Sequence, residues 1–201
     1  MTVAVTAPLP VLRERLVSVP NTVTVLRTVL ALALGIGAVA VDSLALLGVA
    51  YVCYWAGDSL DGYLARKLDQ ETKVGAVFDC VCDRASTCIL AVGLIAHAPE
   101  VWPPVAVFLA NFMVLDMMLS LSFLCWPHVV SPNYFYLIDE RVFRLNWSHP
   151  AKAANTAGVV LMVVLGLTWP VFLWVALVAA LAIFGVKIWS TVRVARLLAL
   201  G

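Results

Sequence analysis

Four aspartates within 26 residues are the side chains in this chain best suited to chemistry. Asp58 and Asp61 are three residues apart, and Asp79 and Asp83 are four apart. On two helices these spacings put each pair on one helix face. Two such faces turned toward each other form an oxygen-rich cage, which suits Mg²⁺ or Mn²⁺ bound together with a substrate's phosphates.

The composition is typical of an integral membrane protein. Of the 201 residues, 63% are hydrophobic and 12% are charged, and the mean hydropathy is +1.00. These values argue against a soluble domain and against a nucleic-acid partner. Four acids at membrane depth are costly without cations, which strengthens the prediction of a metal site.

The expected fold is an all-α membrane protein with six transmembrane helices. A chain of this length accommodates six spans of roughly 20 residues, predicted at 22–41, 43–61, 76–97, 101–125, 149–167 and 170–194. The segment 1–20 is too polar to span and is predicted to be an amphipathic surface helix. We expect one domain over 1–201, with a six-helix bundle over 22–196.

The basic residues predict the orientation in the membrane. All thirteen Lys and Arg residues lie on the side of the two termini or in the helix turns nearest it, whereas the opposite turns carry none. By the positive-inside rule both termini are expected to be cytoplasmic. The bias toward Ala, Val, Leu and Arg favours a bacterial plasma membrane, with the endoplasmic reticulum left open.

Around the aspartates the chain follows the pattern D-x2-D-G-x2-A-R-x8-G-x3-D-x3-D, from Asp58 to Asp83. This pattern resembles the signature of the CDP-alcohol phosphotransferases, and all eight specified positions are filled. The resemblance implies an enzyme that displaces CMP from a CDP-linked lipid and joins the phosphoryl group to an acceptor hydroxyl. It also implies a homodimer.

The resemblance assigns roles to the motif residues. Asp58, Asp61, Asp79 and Asp83 are expected to hold Mg²⁺ or Mn²⁺, with two ions expected, and Asp83 is expected to be the catalytic base that takes the acceptor proton. The expected contacts to CDP-diacylglycerol are Gly62, Ala65, Arg66, Thr72 and Gly75. A guanidinium such as that of Arg66 can donate two parallel hydrogen bonds to phosphate oxygens. Small residues also serve helix packing, which is the alternative for the glycines and the alanine.

Arg27 lies one to two turns inside the first predicted span, after Pro20, Asn21 and Thr24. A guanidinium at that depth needs an acidic or phosphate partner. An active-site role and a structural role are both open for it.

The acceptor is predicted from residues after the motif. The elements Asp83-Arg-Ala-Ser86-Thr, Leu115-Asp116, Ser148-His149-Pro-Ala and Val186-Lys187 resemble those of eukaryotic-type phosphatidylinositol synthases, in the same order. His149 departs from that pattern, since the subfamily usually has Arg there. Myo-inositol or another polyol is therefore the expected acceptor. Its candidate contacts are Ser86, Asp116, His149, Lys152 and Lys187.

Three other functions compete with this one: the first stays open, and the sequence argues against the other two. A phosphorylated acceptor, as in phosphatidylglycerophosphate or phosphatidylinositol-phosphate synthases, would need clustered cations, and Arg141, Arg144, Lys152 and Lys187 are candidates. A transporter would show discontinuous helices in two matching halves, which the sequence lacks. A scaffold would not require the complete motif. The five cysteines form no C-x2-C pair, lie in apolar surroundings and are predicted to be buried free thiols.

Overall fold

The computed structural model describes residues 16–200, with the side chain of Leu200 excluded. The described residues are helical and include no strand, which confirms the all-α class. Most of the predicted surface helix, residues 1–15 of the segment 1–20, lies outside the described residues.

Three long helices form the first half: α1 Val19–Ala40, α2 Leu44–Lys67 and α3 Lys73–His97. Each begins after a hydroxyl N-cap, because Ser18, Ser43 and Thr72 accept a hydrogen bond from a backbone N–H three residues ahead. α2 and α3 carry the four aspartates near their ends on the same side of the molecule, since the short turn between Lys67 and Lys73 joins those ends.

The second half is more broken than the sequence predicts. The predicted span 101–125 consists of a 3₁₀ turn Pro99–Val101, α4 Trp102–Ala110, a π-helical segment Asn111–Asp116, α5 Met117–Leu121 and a 3₁₀ turn Ser122–Cys125. The predicted span 149–167 contains α7 His149–Lys152, a π-helical segment Ala153–Gly158 and α8 Val159–Gly166. The last helix, α9, is continuous over Val171–Leu200. Hydropathy does not report such local π geometry, which often marks functional positions.

Between these spans, the segment 126–148 contains a 3₁₀ helix Pro132–Leu137 and α6 Glu140–Asn146. Phe135, Val142 and Trp147 of this segment are buried in one cluster with Phe123 and with Val194 of α9. The apolar cluster therefore holds the segment 126–148 against the helical bundle, on the side where α2 ends and α3 begins.

Three helical stretches are long and apolar enough to cross a membrane among the described residues: 19–40, 99–125 and 171–199. The aspartates and basic residues lower the hydropathy of α2 and α3, and α8 is short. The apolar composition and these long apolar helices indicate a membrane protein. The number of six spans stays a prediction.

Small residues bring α1 against its neighbours. Ala31, Gly35 and Ala38 of α1 are buried, and a Cβ built on Gly35 would lie 3.0 Å from Ile89 of α3. Such close approach of helix backbones is the usual use of small residues within a membrane. It places Arg27 of α1 directly over the acidic faces of α2 and α3.

Candidate active site

The four predicted aspartates meet in one place. The side chains of Asp61 and Asp83 are 5% and 17% exposed, whereas those of Asp58 and Asp79 are 38% and 41% exposed. The arrangement has a buried inner pair and an open outer pair, so a ligand can reach the outer carboxylates from one side.

Arg27 is the cation that joins these acids. Its Nε donates to Asp61 at 2.7 Å, and its Nη2 donates to Asp79 at 2.5 Å and to Asp83 at 2.9 Å. The same nitrogen lies 3.3 Å from Asp58. Arg27 is 4% exposed, so its predicted need for an acidic partner is met by all four motif carboxylates. The guanidinium offsets part of the repulsion among four nearby negative charges.

The carboxylates fit a hard divalent cation. One oxygen from each of Asp58, Asp61 and Asp79 lies within 4.8 Å of the other two, close to the spacing of oxygens that share a Mg²⁺ or Mn²⁺ ion. The donor set is oxygen only, which suits these metals over softer ones. These three residues are the ones that would hold an ion, and Asp83 lies one helical turn beyond Asp79.

Residues for which the sequence predicted no role contact and orient this group. Thr24 donates from its hydroxyl to Asp61 at 2.7 Å. The ring of Tyr54 lies 5.5 Å from the guanidinium carbon of Arg27, within cation–π range. A Cβ on Gly57 would lie 2.5 Å from the Arg27 Cβ. Gly57 is therefore needed for Arg27 to cross α2, a requirement that only the helix packing reveals.

An open cleft adjoins the acids. All five predicted CDP-diacylglycerol contacts line it, together with Asp61 and Asp79: Gly62, Ala65, Arg66, Thr72 and Gly75. α1 contributes Pro20, Asn21 and Thr24, and the segment 126–148 contributes Ser131 and Asn133. The last two were missed, because nothing in their local sequence links them to the motif.

The two motif glycines in this cleft differ in their surroundings. A Cβ on Gly75 would lie 2.9 Å from the Thr72 hydroxyl and 3.1 Å from Asn21 Oδ1, so the fold itself requires glycine there. A Cβ on Gly62 would meet only Arg66, at 3.5 Å, which is an ordinary contact. The protein alone therefore accommodates a methyl group at Gly62.

The edge of the cleft is closed by a hydrogen bond between two distant segments. The Tyr134 hydroxyl donates to Glu71 at 2.5 Å. This bond to a carboxylate raises the pKa of Tyr134 to about 12, because losing the proton would set two negative charges side by side. The bond therefore persists across the neutral range.

Asp116, at the end of the π-helical segment, accepts hydrogen bonds from both Arg84 of α3 and Lys187 of α9. Arg84 also stacks on Phe112, with its guanidinium carbon 4.2 Å from the ring centroid. Arg84 and Lys187 are 7% and 2% exposed. One carboxylate thus faces two buried cations, one of which directly follows Asp83 in the chain.

The five predicted acceptor residues do not form one group. Asp116 and Lys187 are joined, and Ser86 is fully buried on α3 with no hydrogen-bond partner for its hydroxyl among the described residues. His149 is exposed at the start of α7. Lys152 instead donates to Asn133 at 2.7 Å, beside the cleft.

Within the described residues the five cysteines are free thiols, as predicted, but only Cys80 and Cys82 are buried. Cys53 and Cys88 are half-buried and Cys125 is exposed, so the prediction that all five are buried is wrong.

Known proteins resemble this chain over part or most of its length. The chain is 40% identical over 60 residues to a CDP-diacylglycerol–inositol 3-phosphatidyltransferase of Candida albicans, a stretch that covers 30% of this chain and 24% of that protein. No solved structure matches the chain. The family model for CDP-alcohol phosphatidyltransferase matches residues 17–189. This range includes the four aspartates, the cleft, and Asp116 with its partners Arg84 and Lys187. The chain belongs to the CDP-alcohol phosphatidyltransferase family.

Proposed function

We propose that this protein is a phosphatidylinositol synthase, which converts CDP-diacylglycerol and myo-inositol into phosphatidylinositol and CMP. The observation that carries the choice of acceptor is the local similarity to the inositol 3-phosphatidyltransferase of Candida albicans. The chain covers only 24% of that relative, so the acceptor is the part of the proposal that most needs an experiment.

In the proposed reaction a hydroxyl oxygen of inositol attacks the phosphorus that bears the diacylglycerol. A new P–O bond forms, the bond from that phosphorus to the bridging oxygen of the diphosphate breaks, and CMP leaves with the electron pair. Asp83 accepts the proton of the attacking hydroxyl. Mg²⁺ or Mn²⁺ held by Asp58, Asp61 and Asp79 would supply positive charge to neutralise the diphosphate.

The protein's own groups bind and orient the substrates. Arg66 is assigned to the diphosphate oxygens, and Gly62 and Ala65 leave room for the flat cytidine. Arg27 links the carboxylates of α2 to those of α3, so it positions Asp83 relative to the proposed metal ligands. Thr24 holds Asp61 in the same way.

For the acceptor, Asp116 and Ser86 are assigned to the ring hydroxyls of inositol. Asp116 lies on a π-helical segment within hydrogen-bond reach of Arg84, and Arg84 adjoins the proposed base Asp83. The bond from Arg84 connects Asp116 to the helix that carries the proposed base, which supports an acceptor site near that helix. His149, Lys152 and Lys187 stay predicted acceptor contacts.

One observation favours a second candidate, a synthase whose acceptor carries a phosphate, such as inositol phosphate or glycerol 3-phosphate. Arg84 and Lys187 bring two positive charges to the single negative charge of Asp116. The surplus positive charge is suited to a phosphate group on the acceptor.

The deciding experiment is CMP release by the purified protein in detergent with CDP-diacylglycerol and Mg²⁺ or Mn²⁺. Separate reactions contain inositol, inositol 3-phosphate, glycerol 3-phosphate or serine. Release with inositol alone is the expected result, and release only with a phosphorylated acceptor would replace the proposal by the second candidate. The folded Asp83→Asn variant is the control, and its turnover should fall by at least about 100-fold.

We also propose that six segments cross the membrane, with both termini and the cleft on the cytoplasmic side. The cleft is formed by the ends of α2 and α3 and by the segment 126–148, where the basic residues are concentrated. A diacyl substrate would enter the site sideways from the bilayer. The homodimer expected from the family belongs to the same proposal.

A further inference from the structure

We propose that Ser131 and Asn133 recognise the pyrimidine base of the nucleotide and distinguish cytosine from uracil. Both residues line the cleft next to Gly62, Arg66 and Thr72. The inference assumes the CDP-linked substrate of the proposed function, but it does not depend on which acceptor is used.

The hydroxyl of Ser131 is not used by the fold. Ser131 is 7% exposed, and its Oγ has no hydrogen-bond partner among the described residues. It precedes the 3₁₀ helix Pro132–Leu137, yet its side chain makes no capping bond there. A buried hydroxyl without a partner is costly. Its position in the wall of the cleft indicates that a ligand supplies the partner.

The segment that carries Ser131 and Asn133 is held firmly on both sides. Phe135 is fully buried, with its ring centroid 5.6 Å from that of Trp126 and 4.8 Å from that of Trp147. Tyr134 is bonded to Glu71 across the cleft edge. Polar groups presented by such a preorganised segment bind a ligand with little ordering cost.

Lys152 sets the orientation of the Asn133 amide. The Lys152 ammonium can only donate, and it bonds to Asn133 Oδ1 at 2.7 Å. Because Oδ1 is turned toward the ammonium, the Nδ2 hydrogens are the donors that Asn133 can offer to a ligand on its other side. Cytosine presents acceptors at O2 and N3, whereas uracil carries a hydrogen at N3. An Asn133 donor that faces N3 therefore fits cytosine and opposes uracil.

The chemistry of this part of the cleft favours a base over a phosphate. Ser131 and Asn133 are neutral, and the negative charge of Glu71 in the same wall offsets the positive charge of Lys152 beside Asn133. Arg66 is the cleft residue suited to phosphate oxygens. The diphosphate is therefore directed to Arg66 and the aspartates, and the base to the segment that carries Ser131.

The test measures binding of CMP and UMP to the purified full-length protein in detergent with Mg²⁺, by isothermal titration calorimetry. Ser131→Ala should weaken CMP binding by about three- to tenfold, the usual effect of removing one hydrogen bond. Asn133→Asp replaces donors by acceptors, and should lower the ratio of CMP to UMP affinity by about tenfold.

Two matched controls separate base recognition from general damage. Ser122→Ala removes a hydroxyl that donates to the backbone oxygen of Leu119, and Asn155→Asp changes an exposed amide that donates to the backbone oxygen of Leu145. Both should bind CMP as the parent does. Thermal unfolding of each variant establishes that it is folded.

Parent-like CMP affinity in folded Ser131→Ala, or a parent-like CMP to UMP ratio in folded Asn133→Asp, would overturn the proposal. Because CMP binding needs no acceptor, these outcomes are independent of the inositol assay. If CMP binding shows the expected variant effects but inositol is not used, only the proposed acceptor is wrong.

Discussion

At the scale of single residues, Arg27 sets the electrostatics of the site. One buried guanidinium contacts four carboxylates that come from two other helices. A divalent cation bound by Asp58, Asp61 and Asp79 would share these carboxylates with Arg27. Arg27 and the metal therefore both reduce the same repulsion, which leads to a prediction about stability.

Replacing Arg27 by Met should destabilise the metal-free protein by about 3–5 kcal/mol, because it leaves buried carboxylates without their cation. Mn²⁺ should then raise the unfolding temperature of the variant more than that of the parent. Thermal unfolding in detergent, with and without Mn²⁺, measures both effects.

Arg144→Met is the control for Arg27→Met. Arg144 also pairs with a carboxylate, that of Glu140, but both side chains are well exposed, and such pairs contribute little. An equal loss of stability in the two variants would show that the acidic cluster does not depend on Arg27.

Gly57 and Gly62, on the same helix, should respond differently to alanine. Gly57→Ala places a methyl group against Arg27 and should cost about 1–3 kcal/mol of stability. Gly62→Ala adds only an ordinary contact with Arg66, so the fold should persist. If a nucleotide approaches Gly62, CMP affinity should nevertheless fall, by about tenfold.

Unfolding temperature and CMP affinity, measured for both glycine variants, check this pair. Unchanged CMP binding in Gly62→Ala would mean that Gly62 serves helix packing and not the nucleotide, the alternative that the sequence left open.

At the scale of elements, the segment 126–148 is the unexpected contributor. It is attached to α9 at its apolar cluster and also by Asp139, whose Oδ2 accepts from Arg193 at 2.6 Å. Asp139 caps α6 as well, by accepting from the N–H of Val142 at 3.0 Å. Burial by itself raises the pKa of Asp139, but the hydrogen bonds from Val142 and Arg193 outweigh it and lower that pKa.

Asp139→Asn keeps a capping side chain but removes the charge. It should lower stability at neutral pH by about 1 kcal/mol, through the weaker bond to Arg193. A carboxylate with a lowered folded-state pKa stabilises the fold above the unfolded-state pKa of about 3.9, and loses that contribution as pH falls through the folded-state value. The difference between variant and parent should therefore shrink below about pH 4.

Unfolding temperatures measured from pH 7 to pH 3 check the Asp139 prediction. Glu140→Gln, next in the chain and exposed, should show almost no difference at any pH. A stability difference for Asp139→Asn that persists at the lowest pH would contradict an electrostatic origin.

At the scale of the whole molecule, six spans would put the C-terminus and the cleft on one side, and the turn near Asp42 on the other. A fluorescent protein that folds only in the cytoplasm should therefore fluoresce when fused after Gly201. Alkaline phosphatase, which is active only outside the cytoplasm of a bacterium, should be active when fused after Asp42. The reverse pattern would place the cleft outside, and activity of both reporters at one site would contradict a single orientation.

The sequence by itself determined the family of this protein, through the motif from Asp58 to Asp83. The spacing within each pair, Asp58 with Asp61 and Asp79 with Asp83, follows helical periodicity. It therefore shows which side chains share a helix face, independently of how the helices pack. The resemblance of the whole motif to a family signature, and not spacing alone, predicted Gly62 and Arg66 as substrate contacts, and both residues line the cleft. Composition identified a membrane protein. The meeting of the four aspartates was predictable because it depends on neighbours within one or two helical turns, whereas the substrate roles of Gly62 and Arg66 stay predictions.

Only the tertiary structure decided which distant residues complete the site. Arg27 carries the same charge as Arg66 in the sequence, but the close packing of α1 on α2 aims it at the four acids. Lys152 and Lys187, both predicted acceptor contacts, are brought to Asn133 and Asp116 respectively. Ser131 reaches the cleft because Phe135, four residues later, is buried and anchors this segment. Such contacts arise from packing between segments far apart in the chain, and no local spacing encodes them.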